Sequence, residues 1–102
     1  MYKTIYLPIA REDIEKAVLY IAEHLKAEKA ALDLLDSLDT AIGRLAEFPY
    51  AHRLYSKTAD FSNEYRILPV KNYLVFYTID EEQKIVEIYR VLYAKRDWKN
   101  II

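Results

Sequence analysis

The sequence predicts an α+β domain in the order strand, two helices, then three antiparallel strands, and three observations carry that prediction. Residues 14–25 and 31–48 repeat apolar side chains at helical spacing, residues 65–93 hold three runs rich in Val, Ile, Tyr and Phe, and a shorter run of β-formers precedes them all. Neither an amphipathic helix nor a half-apolar sheet can bury its face alone, so the helical pair is expected to cover one side of the strands.

The first strand is read over residues 2–7, where Tyr2, Ile5 and Leu7 stand before Pro8. Ile14, Ala17, Val18, Ile21, Ala22 and Leu25 then recur at i, i+3, i+4, i+7, which predicts a helix with Glu12, Asp13 and Glu15 near its positive N-terminal end. A second periodic run, Ala31, Leu34, Leu35, Leu38, Ile42, Leu45 and Phe48, stops at Pro49, and the short joint makes the two helices an antiparallel hairpin. Gly43 lies inside that run, where close helix packing is the expected reason for it. Residues 50–63 are irregular and read as a loop with a short extended piece around Arg53 and Tyr55. Residues 65–70, 73–79 and 85–93 read as strands joined by Lys71-Asn72 and by the polar run 80–84, an antiparallel meander.

The 102 residues suit a single domain spanning 1–102, with one modest core. No cysteine is present, which removes disulfides and thiolate chemistry and agrees with a reducing, cytoplasmic setting. The first ten residues lack the features of a signal peptide, and the apolar stretch 73–79 is too short to span a bilayer as a helix, so no membrane role is expected. The lone glycine excludes a glycine-rich phosphate loop, while His24 and His52 without cysteine make neither a metal site nor a cofactor an expectation. Net charge is −1, so the chain as a whole does not attract nucleic acid. Residues 1–51 carry six Lys/Arg against nine Asp/Glu, and residues 52–102 carry nine against seven, which puts any polyanion contact in the second half.

Three stretches are distinctive together: Leu45-Ala46-Glu47-Phe48-Pro49 at the exit of the hairpin, Tyr65-Arg66-Ile67-Leu68-Pro69-Val70-Lys71-Asn72-Tyr73-Leu74-Val75-Phe76-Tyr77, and Val86-Glu87-Ile88-Tyr89-Arg90-Val91-Leu92-Tyr93-Ala94-Lys95-Arg96-Asp97-Trp98. With the element order, they resemble the RelE/ParE superfamily of type II toxin–antitoxin toxins, and its ParE-like, plasmid-stabilising members in particular. The resemblance implies a growth-arresting toxin and a cognate antitoxin whose tail folds across its surface. It implies one of two targets, DNA gyrase for ParE-like members or ribosome-bound mRNA for RelE-like nucleases, with the gyrase reading slightly ahead. A member that only binds antitoxin and helps repress the shared operon is a third reading.

RNA cleavage needs a group to take the 2′-hydroxyl proton, cations for the charged phosphorane and a group to protonate the leaving oxygen. Arg66, which the resemblance matches to a basic position of RelE-like nucleases, Tyr93 and Arg96 are the candidates for that chemistry, if the chain is a nuclease. Arg90, Lys95 and Trp98 are the candidates for target or phosphate contact. Each has a plainer reading: Tyr93 as a strand-end tyrosine, Arg90 as half of a buried ion pair, Trp98 as a plug in the core. By alternation Arg66 shares a face with Leu68 and Val70, and Arg90 shares one with Ile88 and Leu92. His52 is placed either in a solvated loop or at a basic edge with Arg53 and Lys57. Leu68 and Leu74 stand where the resemblance implies further basic residues in nucleases, which counts against RNA cleavage.

Overall fold

The computed structural model describes residues 1–55 and 64–102. The chain runs β1 (Lys3–Tyr6), α1 (Pro8–Leu19), a π-helical stretch (Tyr20–His24), α2 (Glu28–Arg44), β2 (Arg53–Tyr55), β3 (Tyr65–Val70), β4 (Tyr73–Asp80), β5 (Ile85–Tyr93) and a final 3-10 turn (Trp98–Asn100). The predicted strand, helical hairpin and meander are all present. The part of the expected loop over 56–63, with Lys57, lies outside the described residues.

One five-stranded sheet has the order β1-β5-β4-β3-β2. β3, β4 and β5 form the antiparallel meander, β2 adds antiparallel to β3, and β1 pairs parallel with β5. The helical hairpin thus carries the chain across the sheet, from β1 at one edge to β2 at the other. β2 stops opposite Ile67, so Pro69 sits beyond its paired stretch, where a missing N–H costs nothing.

The helices cover one side of the sheet. Ala10 and Ala17 of α1 and Leu34, Leu38 and Ile42 of α2 meet Leu68, Val75, Tyr77, Val86, Ile88 and Val91 in the main core. A second, smaller cluster on the opposite side joins Ile67, Phe76 and Leu92 to Tyr55, Leu74, Tyr89, Trp98 and Ile101. The sheet is therefore apolar on both faces, and the C-terminal segment supplies part of the second cover.

Four local expectations are corrected. α1 begins at Pro8, whose fixed φ suits the first helical position, so Glu12, Asp13 and Glu15 fall past the first turn and do not compensate its N-terminal dipole. α2 ends at Arg44 and the chain leaves through turns, which keeps Leu45 buried but turns Phe48 out to solvent. A Cβ built on Gly43 meets nothing within 4 Å among the described residues, so close packing is not its reason. β5 bulges where Tyr77 pairs with Ile88 but Phe76 pairs with Arg90. The extra residue reverses the alternation, leaving Ile88 on the helix side and Leu92 on the other, so the two do not share a face.

Candidate functional site

Lys71, Lys26 and Lys84 take the left-handed backbone region that glycine normally occupies, with φ near 53–57°, and two of them border the surfaces that matter here. Lys71 opens the β3–β4 turn beside Tyr73 and Tyr93, and Lys26 closes the π-helical stretch. Among the described residues, five of the six candidates fall into three separate places, and Trp98 lies apart from them on the other side of the sheet.

The first is a corner where the chain leaving α2 meets β3. Arg66 lies opposite Tyr77 on the helix side, as alternation predicts. Its Nη1 donates to the His52 carbonyl at 2.8 Å, and its guanidinium lies over the Tyr50 ring at 5.0 Å. The buried Tyr77 hydroxyl donates to the Pro49 carbonyl at 2.6 Å, and the His52 ring meets Tyr77 edge-on at 6.4 Å. Burial pushes the Tyr77 phenol up to about 12, with Arg66 pulling weakly the other way. Arg66 and Tyr77 together pin residues 49–52 to the sheet. His52 is half-buried against Tyr77 and so is not a freely solvated loop residue.

The second place is the contact between β5 and α1. Arg90 donates from Nε to Asp13 Oδ2 at 2.7 Å and from Nη2 to Oδ1 at 2.9 Å, and the Val91 amide donates to the same Oδ2 at 3.0 Å. Both side chains are largely withdrawn from water, at 14% and 9% exposure. The hydrogen bond to Asp13 raises the Arg90 pKa above its ordinary value. Asp13 was missed as a site residue because it was read as a helix-end charge. Its spacing carried the signal: it stands three residues after Ala10 and four before Ala17, on the buried stripe, where a carboxylate requires a partner.

The third place is a cleft of about 580 Å³ between the far end of α1 with its π-helical stretch and the end of β5. Tyr20, Tyr73, Tyr93 and Arg96 line it over an apolar floor that includes Ala17 and Ile21. Tyr93 meets Tyr73 edge-on at 5.5 Å, and burial raises the Tyr73 pKa. Arg96 comes back to the cleft because its amide donates to the Tyr93 carbonyl in the turn after β5. Lys95 is exposed in that turn. Trp98 is on the other side of the sheet, packed on Phe76 at 5.2 Å and Tyr55 at 5.3 Å, so it does not form one patch with Arg96.

These distances decide what the arrangement can do chemically. Arg66 pairs with Tyr77 and Tyr93 pairs with Tyr73, four residues along β4 and two strands across, so their backbones are separated by roughly 15 Å. No group of three or more His, Cys, Asp or Glu among the described residues is placed to hold a metal ion. No helix among them is long and apolar enough to cross a membrane.

The model of the family described as the ParE toxin of the type II toxin–antitoxin system, parDE, matches residues 5–98. This chain belongs to the ParE toxin family. As a ParE-family toxin it shares its fold with a chain of the chromosomal ParDE system from P. aeruginosa, at a TM-score of 0.73 and 12% identity, over 93% of this toxin and 98% of that chain. A chain of the RelBE2 toxin–antitoxin complex from Mycobacterium tuberculosis superposes with a TM-score of 0.60 and 20% identity, over 90% of this toxin and 96% of that chain. No curated protein matches the toxin significantly in sequence. The strand, hairpin and meander of the toxin are thus those of the RelE/ParE superfamily.

Proposed function

We propose that this toxin arrests growth by binding a macromolecular target, DNA gyrase, and not by cleaving RNA. The observation that carries the reading is dispersal of the candidate acid, base and cations. Arg66 is engaged by the His52 carbonyl and Tyr50, Arg90 by Asp13, and the backbone of Tyr93 stands roughly 15 Å from that of Arg66 along and across the sheet. General acid–base cleavage needs those groups within hydrogen-bond reach of one phosphate. Leu68, buried in the main core, and Leu74, packed on the second cluster, are apolar where the resemblance implies a nuclease would carry charge.

We further infer a cognate antitoxin seated on the helical hairpin. A groove of about 660 Å³ runs between α1 and α2, floored by Ile14, Val18 and Leu38 and edged by Leu19 and Leu35, which are 48% and 42% exposed. Partly exposed leucines at helical spacing along a groove suit the apolar stripe of an amphipathic partner helix. The similar chains belong to a ParDE toxin–antitoxin system and a RelBE2 toxin–antitoxin complex, which supports an antitoxin partner.

Expression with and without the adjacent small reading frame tests both parts. The expected result is growth arrest relieved by the neighbour, with purified toxin trapping gyrase-cleaved DNA and leaving ribosome-bound mRNA intact. Cut mRNA with unaffected gyrase would establish the nuclease reading instead. Absence of any growth arrest, with antitoxin binding retained, would leave only an operon co-repressor.

A further inference from the structure

The corner where the chain leaves α2 and enters β2 turns its largest side chains outward. Phe48 is 63% exposed, Tyr50 51% and Leu54 44%. Exposed apolar residues scattered singly need no explanation, but these are gathered, and a gathered apolar patch marks a contact surface. Leu54 is the direct strand partner of Arg66, and the Arg66 guanidinium lies over the Tyr50 ring at 5.0 Å, so Leu54 and Tyr50 flank one side chain. Phe48 stands two residues ahead of Tyr50, in a turn closed by the Ala51 amide on the Phe48 carbonyl at 3.3 Å.

Two hydrogen bonds set this corner in one shape. The Tyr77 hydroxyl holds the Pro49 carbonyl and Arg66 holds the His52 carbonyl, on either side of Tyr50. Positions 49 and 52 are thereby drawn inward while 48, 50, 53 and 54 face water. Side chains already presented on a fixed backbone lose little freedom when a partner closes on them. The rim is basic. Arg44 ends α2 and Arg53 opens β2, both exposed and without an ion pair to any described residue, and Glu47 is the one carboxylate between them. A second copy would bring the same arginines to the contact, so self-association is disfavoured. Two arginines are too few for a run of phosphates, and one face of Tyr50 is already taken by Arg66, which leaves little stacking surface for bases. The charges and the apolar centre suit a protein surface that offers an apolar pocket with carboxylates around it. The groove between α1 and α2 is lined on α2 by Leu35, Leu38 and Asp39 only, so the corner lies beyond it.

We propose that this corner is the surface by which the toxin holds DNA gyrase, with Phe48 and Leu54 entering an apolar pocket of the gyrase protein and Arg44 and Arg53 meeting carboxylates at its rim. The inference rests on the target reading above and names the part of the toxin that carries it. Arg66 and Tyr77 support the surface from beneath: they hold residues 49–52 in place and do not touch the target. The two apolar anchors carry most of the affinity, because they are the groups withdrawn fully from water, while the arginines at the rim act chiefly on the rate of encounter.

The absence of cysteine lets the corner be blocked one position at a time. Phe48→Cys, Leu54→Cys and, as a control on α2, Leu32→Cys at a site 62% exposed are each labelled with a bulky maleimide. Binding of purified gyrase and trapping of gyrase-cleaved DNA are then measured. Labels at 48 and 54 weaken both by at least about 10-fold, and the label at 32 weakens neither. Phe48→Ser and Leu54→Ser, which add no bulk, weaken gyrase binding in the same direction, with thermal melts that show folded protein. Arg53→Glu slows association and flattens its salt dependence, and Arg53→Lys restores both. Affinity for the small protein encoded by the adjacent reading frame is unchanged throughout. If the toxin labelled at 48 or 54 binds and traps gyrase as the unlabelled toxin does, the corner is not the contact, and the target reading stands. If unlabelled toxin neither binds nor traps gyrase, the target reading itself falls and the corner with it. If the labels spare gyrase but abolish binding of the neighbour, or of a single-stranded RNA oligonucleotide, the corner serves that partner and the proposal is overturned.

Discussion

Asp13 closes a bidentate pair with Arg90, at 2.7 and 2.9 Å, and the same carboxylate accepts the Val91 amide just past the β5 bulge. One side chain thereby joins α1 to the strand, satisfies a guanidinium that is largely out of water, and takes up a backbone donor of β5 beyond the last residue that β1 pairs. Asp13→Ala removes all three and leaves Arg90 unpaired, so a loss of about 3–4 kcal/mol in denaturant unfolding is expected. The double variant Asp13→Leu, Arg90→Met removes the stranded charge as well and should lose less than the sum of the single variants. A double-mutant cycle reads the coupling; strict additivity would mean the pair is incidental.

That pair also marks where the sequence stopped being readable. The meander was legible because its Val/Ile/Tyr runs and the Lys71-Asn72 turn are local signals, and the hairpin because Ala31, Leu34, Leu38 and Ile42 keep helical spacing through α2. The bulge was not, since the apolar residues at 88 and 92 look like unbroken alternation and only a partner strand reveals the slip. The partners of Arg66 were hidden for another reason. They are the His52 carbonyl and the Tyr50 ring, and which backbone oxygen a side chain reaches depends on how the chain leaves α2. Tyr93 and Arg96 were correctly placed near the end of β5, but the cleft they share with Tyr20 is built by the π-helical stretch, which has no sequence signature.

Alkaline titration should single out Tyr77. Its pKa is pushed up to about 12 in the folded chain against an ordinary value of 10 because burial disfavours the phenolate, with Arg66 pulling the other way. Below pH 10 both states keep the proton and the hydrogen bond contributes in full. Between pH 10 and 12 the unfolded chain ionises first, so stability falls, by roughly 2–3 kcal/mol for this residue. Tyr77→Phe should cost about 1–2 kcal/mol at pH 7, since the Pro49 carbonyl loses its donor, and should shrink the gap to wild type as pH rises. A gap that stays constant from pH 8 to 11.5 would rule out Tyr77 as the source.

Gly43 offers a gain. It lies in the last turn of α2, exposed, and a Cβ there meets no described atom within 4 Å. Gly43→Ala should raise stability by about 0.5–1 kcal/mol, through helix propensity and a less flexible unfolded chain. An upward shift of the urea midpoint at unchanged m-value checks it. A downward shift would mean that a contact requires the bare backbone.

The separation of Arg66 from Tyr93 gives the functional prediction with the clearest consequence. Arg66→Ala loses a hydrogen bond to a backbone carbonyl and the stacking on Tyr50, so it should destabilise by about 1–3 kcal/mol. Any loss of growth arrest in that variant should track its folded fraction, and stabilising the protein with Gly43→Ala should restore part of it. Tyr93→Phe keeps the ring against Tyr73 and removes only the hydroxyl, so stability and growth arrest should both stay at the wild-type level. In a nuclease the two substitutions would behave alike, each abolishing cleavage in a fully folded protein, because acid–base and phosphate-binding groups act as a unit. A folded Tyr93→Phe toxin that binds antitoxin normally yet no longer arrests growth would therefore put the phenol in the chemistry and remove the gyrase-binding reading.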